Sequence, residues 1–69
     1  MKARQVRDMS DEELARESRE LRRALFNLRL QQAIGQLEKP HKLRETRRDL
    51  ARVLTVTRQR ELATAKETR

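Results

Sequence analysis

The sequence predicts an all-α fold, a long antiparallel two-helix hairpin with coiled-coil-like packing, and two observations carry that prediction. The single Gly and the single Pro of the 69 residues, Gly35 and Pro40, fall close together near mid-chain. Gly35 suits the left-handed residue that stops a helix, and Pro40 suits the first turn of the next, where its missing N–H is not needed. On either side of this break, apolar residues recur at helical spacing. Leu14, Leu21 and Leu28 repeat every seven positions on the first arm, and Leu43, Leu50, Val53 and Leu54 mark the second.

In chain order, residues 2–9 are too short for a firm assignment, although a single helical turn there would let Val6 and Met9 fold back on the hairpin. Ser10-Asp11-Glu12-Glu13 reads as a capping box, with Ser10 accepting from the Glu13 N–H and Glu13 reaching back. Its three acids also complement the helix dipole. The first arm is predicted over about residues 10–34, its leucine stripe interleaved with Ser18, Leu25 and Gln32 in the alternate core register. After the bend at 35–40, the second arm is predicted from about residue 40 to 62, with Thr46 and Thr57 beside its apolar positions. Two stripes joined by so short a bend pack leucine against leucine. Residues 63–69 continue no stripe and are expected to fray. The whole chain, 1–69, reads as one hairpin domain.

Composition narrows the function. A chain this short buries only about 60% of the surface its unfolded form exposes, which argues against a large enclosed active site. Hydrophobic residues are 35% and charged residues 42% of the total, with Phe26 the lone aromatic, enough for one seam between helices. The absence of Cys excludes a disulfide framework and thiolate metal sites. No apolar run approaches the roughly 20 residues of a membrane span, and the basic start (Lys2, Arg4, Arg7) lacks the apolar core of a signal peptide. A cytoplasmic, unprocessed chain is expected, with no membrane partner, small-molecule substrate, metal or cofactor. His41 stands alone beside the proline, and the carboxylates of the first arm have nothing concave around them, so no catalytic residue is assigned.

Charge is informative once divided along the chain. Residues 1–20 carry five basic and six acidic side chains, residues 21–60 carry eleven and three, and residues 61–69 carry two and two, for the net +7. The positive field therefore belongs to the middle of the hairpin. Fourteen of the eighteen basic residues are Arg, whose planar fork suits phosphate contacts and base stacking better than an ammonium. Polyanions, nucleic acid above all, become the leading partner class.

Two surfaces remain after the seam is assigned. Arg44, Arg48 and Arg52 fall at successive i+4 positions opposite the apolar stripe of the second arm, continued by Thr55 and Gln59 and flanked by Arg47 and Arg58. Neighbours about 6 Å apart roughly match the spacing of phosphates along a strand. Glu45 and Asp49 are expected to lie to one side, leaving the arginines without direct carboxylate neighbours. On the first arm, Phe26, Leu30 and Ala33, with Ala15 further up, form a second apolar patch about 120° around from the leucines. Either residues 2–9 or the far end of the second arm fold over it, or it meets an RNA groove or a neighbouring protein. Arg22 and Arg29 flank it and favour contact.

Several blocks in correct order and spacing resemble the bacterial large-subunit ribosomal protein twenty-nine family. They are Phe26-Asn27-Leu28-Arg29, Gln32-Ala33, Gly35-Gln36-Leu37 and Arg47-Arg48-Asp49-Leu50-Ala51-Arg52-Val53 with Thr55, together with the opening Met1-Lys2-Ala3 and the Ser10–Leu14 capping segment. The similarity covers about residues 1–60. It implies an α-hairpin on large-subunit rRNA at the rim of the polypeptide exit tunnel, beside large-subunit protein twenty-three, with no catalysis and no cofactor. By matching position it makes Arg29, Arg47, Arg48 and Arg52 rRNA contacts, with Gln36 near the bend another. Two departures are Lys39, where members often carry Asn or another small polar residue, and Gln5-Val6 in place of a Glu-Leu pair.

The expected function is therefore that of a structural constituent of the large ribosomal subunit. It would bind rRNA through Arg29, Gln36, Arg44, Arg47, Arg48, Arg52 and Thr55, and present Phe26, Leu30 and Ala33 as an interface. The rival is a helical interaction module that docks on an acidic protein or self-associates. Ser18 and Gln32 at core positions argue against a strong homodimer.

Overall fold

The computed structural model describes residues 2–67, with side chains as far as Ala65. Three helices follow in order, α1 (Ala3–Arg7), α2 (Asp11–Ala33) and α3 (Pro40–Glu67), and no strand occurs among the described residues. The long pair α2 and α3 pack along each other, and α1 lies against α3. The molecule is a rod of 50 × 20 × 15 Å.

Helix ends follow local chemistry. The Lys2 backbone N–H donates to Gln5 Oε1 at 3.0 Å, which ties down the first turn of α1. Ser10 Oγ accepts from the Glu13 N–H at 3.1 Å as expected, while the return bond from the Glu13 carboxylate is not made. At the other end of α2, Gly35 takes φ +74°. The Gly35 N–H reaches the Gln32 carbonyl at 3.1 Å, and the Gln36 N–H reaches that of Gln31 at 2.8 Å. This pair of bonds is the Schellman stop, and it satisfies two carbonyls the helix would otherwise leave open. Pro40 opens α3, as predicted. Lys39, just before it, has no side-chain acceptor to offer, and the first turn of α3 carries no acid.

The core is less even than a leucine ladder. Val6, Leu14 and Val53 form one buried cluster, joined by the partly buried Met9, Leu21 and Val56, and Leu25 is buried nearby. The densest packing therefore lies where three helices meet, at the end away from the bend. Two core expectations change. Leu54 is 38% exposed, because α1 docks on the Val56 side of α3 and draws the buried arc away from it. Gln32 is exposed on the last turn of α2, where its amide keeps its water. Thr57, half-buried in the seam, satisfies its hydroxyl by donating to the Val53 carbonyl at 2.9 Å.

The segment after Leu62 also differs from expectation. Helix α3 continues through Glu67, since Ala63 and Ala65 are strong helix formers and the Thr64 hydroxyl donates back to the Arg60 carbonyl at 3.0 Å. The remainder of the expected frayed tail, residues 68–69, lies outside the described residues.

The departures at Gln5-Val6 acquire a structural role here: Gln5 caps α1 and Val6 is wholly buried. Arg60 fastens the same corner. Its guanidinium donates from Nη1 to Asp11 Oδ1 at 3.0 Å and from Nη2 to the Arg7 carbonyl at 2.9 Å. One side chain of α3 thus holds both the end of α1 and the start of α2.

Candidate nucleic-acid interface

Helix α3 turns about 100° per residue, so Arg44, Arg48, Thr55 and Gln59 share one outward strip, with Arg52 at its margin nearest α1. Arg44, Arg47 and Arg48 line a common shallow depression, and His41 joins Arg44, Glu45 and Arg48 around the adjoining one. Arg44, Arg47 and Arg48 are exposed, and among the described residues none of them makes an ion pair. Arg52 differs from expectation. Its Nη1 lies 3.9 Å from Asp49 Oδ1, an i,i+3 pair in which the Asp49 side chain is only 17% exposed. One turn of helix was enough to bring that carboxylate round.

Thr55 and Arg52 also face α1. Together with Arg48, Ala51, Val56 and Gln59 they form one side of a groove whose other side is Ala3, Val6 and Arg7. The Thr55 hydroxyl donates to the Ala51 carbonyl at 2.7 Å. The other two expected contacts lie elsewhere. Arg29 is exposed on α2, and Gln36 lines a hollow at the bend with Leu28, Gln31, Leu37 and Lys42. The structure therefore gathers the second-arm residues into one strip and leaves Arg29 and Gln36 apart from it.

The apolar patch on α2 is uncovered. Phe26 is 66% and Leu30 52% exposed, Ala33 is exposed, and Ile34, absent from the expected patch, is 60% exposed. Neither residues 2–9 nor the far end of α3 folds over it, because α1 packs on α3 instead. Arg7 and Arg60 were also missed as site and support residues. The signal for Arg60 was its position seven residues after Val53, on the inward arc, where a cation requires an acid or a carbonyl.

Among the described residues, no group of three or more His, Cys, Asp or Glu side chains is placed to hold a metal ion, and no helix is long and apolar enough to cross a membrane. Fold and surface define a class, the small basic all-α proteins that present exposed arginine and apolar strips. The sequence matches the family described as Ribosomal L29 protein over residues 4–60, and the chain belongs to that family, whose members are structural proteins and not enzymes. It is 49% identical over 65 residues to the large ribosomal subunit protein uL29 of Persephonella marina, covering 94% of this chain and 96% of that one. It is 50% identical over 62 residues to the uL29 of Natranaerobius thermophilus (90% and 95% covered). With the uL29 of Carboxydothermus hydrogenoformans it shares 47% identity over 66 residues, covering 96% of each.

Proposed function

We propose that this chain is a structural constituent of the large ribosomal subunit in the cytoplasm, holding rRNA through the arginine strip of α3 and standing at the exit-tunnel rim beside large-subunit protein twenty-three. The observation that carries the rRNA contact is the set Arg44, Arg47 and Arg48, three exposed guanidiniums on neighbouring turns with no carboxylate paired to them among the described residues. Cations so spaced displace the counterions of a phosphate run, and the gain is sequence-independent. Arg52 and Thr55 extend the contact along the strip, and Arg29 and Gln36 supply separate ones from α2 and the bend. The tunnel-rim position rests on family membership.

The work done is scaffolding: arginines offset phosphate repulsion so that rRNA segments pack closely. The Phe26, Leu30, Ala33 and Ile34 patch is covered by the ribosomal environment, and burying the Phe alone is worth about 1.5–3 kcal/mol.

Sedimentation of tagged protein from lysate at low magnesium, followed by a salt wash, tests the assignment. Stoichiometric retention on the large subunit is expected. Recovery in the light soluble fraction would favour instead a helical interaction module that docks on an acidic protein or on itself.

A further inference from the structure

We propose that the groove between α1 and α3 seats a single unpaired nucleotide of RNA, a base-binding subsite that adjoins the phosphate-binding strip and shares Arg48, Arg52 and Thr55 with it. The inference rests on the rRNA-binding reading above and adds a specific contact to it.

An arginine strip on an isolated helix is convex and meets only backbone. Here α1 stands along one side of the strip and converts part of it into a groove of about 250 Å³. That is below the roughly 300–1,000 Å³ of drug-sized sites, and suits one planar ring with its sugar. The accessible floor is aliphatic, from Ala51 and the partly buried Val56 over the buried Val6, while Arg7 stands on the α1 side and Arg48 and Arg52 on the α3 side. Apolar surface flanked by guanidinium groups suits an unstacked base, with the phosphate on either side meeting the same cations.

Two polar groups set the type of nucleic acid. The Thr55 hydroxyl has spent its proton on the Ala51 carbonyl, so its oxygen faces the groove as an acceptor only. A ribose 2′-OH can donate to it, and a deoxyribose cannot. Gln59, one turn further on, brings an amide with both donors and an acceptor to the same groove. The α1 wall is held by the Arg60 bond to the Arg7 carbonyl and by burial of Val6, so the groove exists before any ligand arrives.

Charge decides the occupant. Three arginines around the groove and no acid lining it disfavour a basic segment, and with it a second copy of this chain, whose net charge is +7.

The test is equilibrium binding of the full chain, by fluorescence anisotropy, to three labelled RNA hairpins: fully paired, carrying one bulged adenosine, and carrying an abasic bulge at the same place. The bulged adenosine is expected to bind about tenfold more tightly than the other two, as one base stacked in the groove supplies. Ala51→Leu fills the floor without changing charge and at little cost in helix propensity, and is expected to abolish this preference while leaving affinity for the paired hairpin unchanged. Thr55→Val is expected to erase the difference between a ribose and a deoxyribose at the bulge. Equal affinity of the wild-type chain for all three hairpins, with binding that still weakens steeply with salt, would overturn the groove and leave the phosphate strip standing. No binding to any hairpin at low salt would overturn both. Because the abasic comparison uses wild-type protein, the outcome does not depend on how Ala51→Leu folds.

Discussion

Replacing Arg44, Arg47 and Arg48 together by Gln should flatten the salt dependence of RNA binding, and the size of the change follows from their surroundings. None of the three is paired to a carboxylate among the described residues, so each is available to neutralise one phosphate. Each such contact contributes about 0.7–0.9 to the slope of log Kobs against log salt. Losing three therefore lowers the slope by roughly 2–3, and the advantage of wild type over variant shrinks roughly 20- to 40-fold between about 50 and 200 mM salt. Arg52→Gln alone should cost less than a third of that, since Asp49 already lies 3.9 Å from its guanidinium and offsets part of its charge. Anisotropy titrations of a labelled rRNA hairpin across a potassium chloride series measure both slopes. A triple variant with the wild-type slope would remove α3 from the interface. A single Arg52→Gln loss of a full third of the triple one would show that the Asp49 pairing has no influence on phosphate binding.

Two further outcomes concern the scaffold. Arg60→Met should destabilise the chain by about 1–2 kcal/mol and lower its melting temperature by roughly 7–14 °C. Most of that belongs to the bond with the Arg7 carbonyl, because Asp11 is 88% exposed and its pair is screened to a few tenths of a kcal/mol; Asp11→Asn, melted in parallel by circular dichroism, should move far less, and equal shifts would refute that division. Gly35→Ala should cost about 1–2 kcal/mol through the left-handed φ of +74° alone, since nothing lies within 4 Å of a Cβ placed there. Urea midpoints read the loss, and Gly35→Asn should recover part of it.

The long elements were legible because their signals are local. Ser10 and the acids after it, Gly35 and Pro40 each mark a helix end through bonds made within a few residues, and the leucine spacing sets which way each arm faces. The arginine strip was legible for the same reason, since i+4 spacing alone puts Arg44, Arg48 and Arg52 on one side. Features that depend on α1 were not. Five residues, Ala3–Arg7, give too short a pattern to show which arm they join, and that choice decides several others. Docked on α3, α1 buries Val6, recruits Val56, turns Leu54 outward, makes a wall beside Arg52 and leaves Phe26 and Leu30 bare. The Asp49–Arg52 pair was missed for a smaller reason: position on a helical wheel fixes where a side chain begins, while long flexible side chains reach across to neighbours at i+3.

The Arg60 bonds join residues separated by 49 and 53 positions, almost the full length of the chain. Contacts of such span form late, because the ends meet cheaply only after the bend has aligned the two long helices. Closing the corner built from Val6, Leu14, Val53 and Arg60 accordingly depends on the bend at Gly35, which turns the chain back so that its two ends can meet. During synthesis the N-terminal turn emerges well before its docking site on α3, and it has no place to rest until nearly the whole protein has been made.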